Sequence, residues 1–155
     1  MKYFFDTEFV YDVDDDRDWS LELVSIGIVA EDGREYYAIN PAGVGEANGF
    51  VRACVLPHLG NGAWRTEREI AADIRAFVTD NPEFWVYMGA FDYVLLSGLM
   101  GGFNRWPNGW PYLANDLRQL LDAMGHVGIR QPDDAPHNAI EDARWIAQTY
   151  AEVRT

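Results

Sequence analysis

One cysteine in 155 residues leaves Cys54 without a partner in the chain, so no internal disulfide can staple the fold. With only three histidines beside it, no Cys and His cluster has zinc-ligand spacing. There is no long apolar run, no secretory leader pattern, no Pro/Gly/Ser linker, no repeat and no low-complexity tract. These absences read as one domain over residues 1–155, with no membrane partner, in a reducing cytoplasm. Cys54 is expected to be a small buried residue, not a nucleophile. Positive charge is also scarce: 12 Lys and Arg face 25 Asp and Glu, for a formal charge of −13. That is the reverse of the basic footprint of a protein that grips long nucleic acid along its phosphates. The run Asp12, Asp14, Asp15, Asp16 and Asp18 reads as a solvated loop.

What the chain does have is acidic residues set in apolar frames at three distant places: Asp6 and Glu8 in YFFDTEFV, Asp92 in MGAFDYVLL, and Asp142 in HNAIEDARWI. The first stretch predicts a strand, on which Phe4, Asp6, Glu8 and Val10 share one face and Tyr3, Phe5, Thr7 and Phe9 the other. Apolar residues on both faces mean a strand covered on both sides, with the two carboxylates emerging in a partly buried cleft. A helix from Ala90 puts Asp92 on one stripe with Leu95, Leu96 and Leu99. A final helix from Ala139 nearly to the end carries Ala139, Ala143, Ile146, Tyr150 and Val153 on its inner face. Asp142 falls inside that stripe; Glu141 and Arg144 fall outside.

The remaining elements predict a mixed sheet flanked by helices, with an antiparallel start. Strands span 2–10, 21–30 and 34–40, the last two joined at Glu31-Asp32-Gly33. Residues 41–63 wrap the surface, with one short helix over Phe50 to Val55. Thr66-x-x-Glu69 is a capping-box signature for a helix to Asp80, with Ile70, Ile74, Phe77 and Val78 inward. Phe84 to Met88 forms a buried strand, Gly101 to Tyr112 a loop, and Asp116 caps a helix to Met124.

Four inward carboxylates brought together repel one another and resist ionisation unless a cation neutralises them. Hard oxygen ligands favour Mg²⁺ or Mn²⁺ over Zn²⁺. Two such ions can clamp the attacking and leaving oxygens of a phosphodiester, which is hydrolytic chemistry. Pro136 disfavours helix before His137, and Asn138 is a good N-cap, so His137 lies on the loop entering the last helix. From there an imidazole can take a proton from the attacking water.

Asp6-Thr7-Glu8, Phe91-Asp92 and His137-Asn138-Ala139 with Asp142 resemble, in order and across nearly the whole chain, the three motifs of the DEDDh 3′-5′ exonucleases. That group includes ribonuclease T and oligoribonuclease; LVSIGIVAEDGREYYAIN is most similar to a small bacterial and phage branch of 3′-exoribonucleases that includes actinobacterial members. The resemblance implies a ribonuclease H-like fold, an RNA 3′ end as partner, nucleoside 5′-monophosphates as products, and a homodimer. It implies two metal ions held by Asp6, Glu8, Asp92 and Asp142, with His137 as general base. Glu8, Phe9, Phe91 and His137 would meet the substrate. One departure stands out: the family's second motif usually carries Asn four residues before its Asp, and here that place is Met88.

Each feature also has a plainer reading when taken singly. Asp6 and Glu8 can be a solvated strand end, Asp92 a helix N-terminal carboxylate, His137 a capped loop histidine, and Phe9 and Phe91 core. Trp85 and Trp145 read as core, whereas Arg105 and Trp106, in a polar Gly-rich loop, are plain loop residues or RNA contacts. His58 and His126 carry no motif. The acidic balance confines nucleic-acid binding to a few nucleotides at a 3′ end. Two alternatives stay open: the same fold acting on DNA or short oligonucleotides, and a non-catalytic RNA-binding module.

Overall fold

The computed structural model describes residues 1–13, 19–79, 81–132 and 135–154. Its centre is a mixed six-stranded sheet in the order β4-β3-β2-β1-β5-β6. The first three strands, β1 (Lys2–Val13), β2 (Trp19–Ala30) and β3 (Glu35–Ile39), form an antiparallel meander. The shorter β5 (Glu83–Val86) joins β1 in parallel, and two-residue strands β4 (Ala63–Trp64) and β6 (Asn115–Asp116) close the edges. This is the expected architecture, with β1 and β2 longer than the sequence indicated and β5 shorter.

Alternation along β1 sorts the core into two sides. Tyr3 and Phe5 enter the large cluster made with Ile70, Ala71 and Ile74 of α2 (Glu67–Phe77) and Leu95 and Leu96 of α3 (Ala90–Leu99). Phe4 points the other way, to Leu117 and Leu121 of α4 (Leu117–Ala123) and Ile146 of α5 (Ala139–Val153). Val10, on the Phe4 side but further along, belongs to a separate cluster with Val24, Ile39, Ala47, Val51, Val55 and Leu59. Between these two clusters lie Asp6 and Glu8, two successive polar side chains on that face.

Capping explains where the helices begin. Thr66 and Glu69 exchange both bonds of the capping box at the start of α2. That helix stops at Phe77, where Val78 turns extended; Asp80 lies outside the described residues. Asp116 accepts from the Arg118 amide at 2.7 Å to start α4.

Several expectations need correction. Residues 41–63 carry the expected short helix as a π-helical turn, Val51–Val55, but it runs on into a 3₁₀ turn, Leu56–His58, and is preceded by a short α1 (Pro41–Gly45), capped by Asn40, that the sequence did not indicate. Trp106 is not a loop residue available to RNA. It is buried in the large core, and its indole N–H donates to the Trp110 and Pro111 carbonyls at 3.3 and 3.2 Å. Cys54 is half-buried, not buried. Asp12 is exposed as expected, whereas Asp14, Asp15, Asp16 and Asp18 lie outside the described residues. Among the described residues no helix is long and apolar enough to cross a membrane.

Candidate active site

The cleft opens on the α5 side of the sheet, and its floor is the gap on β1. Asp6 pairs across the sheet with Gly27, and Glu8 with Ser25. Gly27 is there for a steric reason: a Cβ on it would lie 2.4 Å from both the Ala139 carbonyl oxygen and the Ile140 Cα. The missing side chain lets the first turn of α5 settle directly on the strand beside Asp6. Asn138 fixes that turn, its Oδ1 accepting from the Ile140 and Glu141 amides at 3.1 and 3.3 Å. One turn in, Asp142 is buried and faces the strand, as the apolar stripe predicted, while Glu141 and Arg144 are exposed.

Asp92 arrives from the other side, on the first turn of α3. Pairing of β5 with β1 ends at Phe4, so beyond it the amides on that edge of β1 have no strand partner. Asp92 supplies one: its Oδ1 accepts from the Thr7 amide at 2.7 Å and the Thr7 hydroxyl at 2.6 Å. The turn before α3 is tight, since a Cβ on Gly89 would lie 2.4 Å from the Val86 Cβ and 3.0 Å from Asp92 Oδ2.

Ligand atoms of Asp6, Glu8 and Asp142 all lie within 4.8 Å of one another. Asp92 lines the same cleft just outside that group, clamped by Thr7. Burial, joined by the charges of Asp92, Asp142 and Glu8, holds the Asp6 carboxyl well above its usual range. Burial and then Asp142 and Asp92 push Glu8 up to about 8. Asp142 is raised to about 6, burial outweighing the hydrogen bonds from Asn138 and the Gln131 side chain. Asp92 is raised by burial against the opposing pull of Thr7. A donor set of carboxylate oxygens, crowded and reluctant to ionise, fits a hard divalent cation.

These shifts have a sign that can be tested. Unfolded, such carboxyls ionise near pH 4; folded, Asp142 does so near 6 and Glu8 near 8. Folding therefore favours the protonated forms, and that stabilisation is complete below about pH 4 and disappears as pH rises through 6 to 8. Thermal unfolding in EDTA is expected to show a Tm that falls between pH 5 and 8.5. Added Mg²⁺ should raise it most at the alkaline end. A Tm indifferent to both would contradict this electrostatic picture.

The cleft encloses about 430 Å³ and is also lined by Thr7, Phe9, Tyr11, Asn48, Phe50, Val51, Gln131 and His137. His137 is exposed on the rim, on the loop before α5 where the sequence placed it. Phe9 lines the cleft, and Phe91 packs against it and against Tyr11, with ring centroids 5.6 and 5.4 Å apart. Arg105 is exposed but does not line this cleft. Sequence reasoning missed Tyr11, Asn48, Phe50 and Gln131. Tyr11 had a signal, being the next residue after Phe9 on the same face of a longer strand; Phe50 starts the expected short helix, with nothing to point it at the cleft, and Asn48 and Gln131 sit on irregular segments with no signal.

Met88 takes φ = 53° in the turn between β5 and α3, and its side chain is 70% exposed, away from the cleft. Asparagine enters this left-handed region at lower cost than methionine. The departure at this place therefore strains a turn and removes no cleft wall. Met88→Asn is expected to stabilise the protein by about 0.5–1 kcal/mol, read as a higher denaturation midpoint with an unchanged slope.

The chain from residue 1 to 154 matches the family model of the 3′-5′ exoribonuclease Rv2179c-like domain. It is 40% identical over 152 residues to the 3′-5′ exoribonuclease Rv2179c of Mycobacterium tuberculosis H37Rv, covering 93% of this chain and 88% of that protein. The 3′-5′ exoribonuclease MT2234.1 of strain CDC 1551 matches to the same extent. Among solved structures, a moderately thermophilic exonuclease I from Methylocaldum szegediense shares the fold with a TM-score of 0.64 at 16% identity. That likeness covers 99% of this chain but 40% of the longer one, and it identifies the fold as ribonuclease H-like.

Proposed function

Because this chain belongs to the 3′-5′ exoribonuclease Rv2179c-like family, we propose that it removes nucleotides one at a time from RNA 3′ ends, releasing nucleoside 5′-monophosphates. The observation that carries the chemistry is the convergence of Asp6, Glu8 and Asp142 within 4.8 Å in a cleft with His137 on its rim. Two divalent ions, Mg²⁺ or Mn²⁺, when bound would supply Lewis-acid activation and neutralise charge on the scissile phosphate.

The protein's own residues do the rest. Asp6, Glu8 and Asp142 would hold one ion, and Asp92 with Asp6 the other. Thr7 occupies one Asp92 oxygen and leaves Oδ2 for ligation. His137 would accept the proton of the attacking water as general base. Phe9, with Phe91 packed behind it, would seat the terminal base or sugar, and Glu8 would also touch the substrate. A cleft of this size holds a few nucleotides, not a long duplex, which reconciles RNA binding with a charge of −13. The chain would work as one domain, as a homodimer and in the cytoplasm, on the family's pattern.

The test is to incubate the protein with a 5′-labelled single-stranded RNA and the matched DNA in Mg²⁺, Mn²⁺ or EDTA. His137→Ala serves as control. The expected result is a ladder shortening from the RNA 3′ end, absent in EDTA and lost in the control. Oligonucleotides that bind but remain intact would favour the non-catalytic module, and equal cleavage of DNA would remove the restriction to RNA.

A further inference from the structure

His137 sits exposed on an irregular segment, and among the described residues its imidazole has no hydrogen-bond partner. A general base needs a fixed ring, because proton transfer requires the acceptor nitrogen to be held toward one water. Something other than its own loop must orient it.

The ring's neighbour is Phe50, edge-to-face with centroids 5.3 Å apart and planes at 74°. Phe50 heads the π-helical turn Val51–Val55 and is 56% exposed, so the contact with the imidazole is made at the surface, on the rim of the cleft. The residue after His137 docks on the same segment, the Asn138 Nδ2 donating to the His58 carbonyl at 2.5 Å. The segment in turn is anchored to the sheet. Val51, Val55 and Leu59 are buried with Val10 and Val24. Asn48 accepts from the Val51 amide at 3.0 Å and donates to the Tyr11 carbonyl at 3.3 Å. A continuous packed path therefore runs from β1, which carries Asp6 and Glu8, through the π-helical turn to His137. Single π-helical turns are rare and concentrate at functional sites.

We propose that residues 48–58 form a seat for His137, with Phe50 the positioning residue that holds the imidazole at the rim of the cleft that contains the carboxylates. This rests on the reading of His137 as general base. Phe50 lines the cleft as well, and the split between kcat and KM separates a hold on the ring from a contact with substrate.

Phe50→Leu removes the aromatic contact at a surface position and is expected to leave Tm nearly unchanged. It should lower kcat about tenfold with little change in KM. Phe50→Tyr, which keeps the ring, should restore kcat. An independent readout comes from NMR of the free protein. With three histidines, the His137 imidazole C–H resonances are assigned by their loss in His137→Ala. They should carry a ring-current displacement in the wild type and in Phe50→Tyr, and relax toward free-histidine positions in Phe50→Leu. Unmoved resonances, or a raised KM at constant kcat, would overturn the seat in favour of a plain substrate contact. Absence of any RNA cleavage by the wild type would overturn the exoribonuclease reading, and with it the purpose of the seat, whatever the resonances do.

Discussion

Asp6→Asn should lower RNA turnover by about a thousandfold or more while making the metal-free protein harder to unfold at pH 8. The two effects have one cause. Asp6 is the member of the cluster whose carboxyl feels all three others, so its ionised form is costly in the absence of a cation. An amide of the same shape carries no charge, relieves that repulsion and withdraws a ligand. Each kcal/mol gained should raise Tm by about 2–4 °C in a chain of this size, and the rise should shrink as pH falls and the wild-type carboxyl takes up its proton. Calorimetry in EDTA and in Mg²⁺ reads both halves: the variant should start higher and gain less from the ion. A variant that is inactive because it is unfolded, or stabilised yet fully active, would contradict the assignment of Asp6 to the cation.

Gly27→Ala carries the second large effect, although residue 27 touches neither substrate nor proton. Its Cβ would fall 2.4 Å from the backbone of Ala139 and Ile140, and backbone cannot swing aside as a flexible side chain can. The N-terminal turn of α5 would have to lift by roughly an ångström, carrying Asp142 and the His137 loop with it. Destabilisation of about 1–3 kcal/mol is expected, with a loss of about a hundredfold in kcat/KM from misplacing Asp142 against Asp6 and Glu8. Gly98→Ala makes the control. Nothing lies within 4 Å of where its Cβ would go, on an α-helix where alanine is preferred, so stability should rise by about 0.5–1 kcal/mol and activity stay unchanged. If Gly27→Ala kept full activity, α5 would not owe its seat on β1 to that glycine.

Much of this arrangement was legible in residue order because period reports which side of an element is buried. Alternation on β1 put Asp6 and Glu8 on one face. Helical stripes turned Asp92 and Asp142 inward and Glu141 and Arg144 outward, and the structure agrees at each place. Caps were equally readable at Thr66, Asp116 and Asn138, since each side chain bonds an amide two or three residues ahead. What escaped depends on distant partners. Nothing in YFFDTEFV says that Thr7 will clamp Asp92, because that contact exists only where β5 peels away from β1. Strands of two residues are too short to show a period, so β4 and β6 were invisible. Trp106 misled because Gly, Asn and Pro around it mark turns but say nothing of an indole whose N–H finds carbonyls four and five residues on. Phe50, at the head of a short helical turn, and Gln131, on an irregular segment, reach the cleft along paths that tertiary packing fixes.

The central claim, that a carboxylate cluster works through divalent cations to hydrolyse RNA from its 3′ end, is tested most directly by the chemical form of the product. A 3′-labelled RNA digested to partial completion and resolved by chromatography should yield labelled nucleoside 5′-monophosphate as the first product in Mg²⁺, and none in EDTA. Release of the labelled residue as a phosphate-free nucleoside, with a 2′,3′-cyclic phosphate left on the shortened RNA and no loss in EDTA, would mean that the ribose hydroxyl and not a water attacks the phosphate, and that Asp6, Glu8, Asp92 and Asp142 serve another purpose.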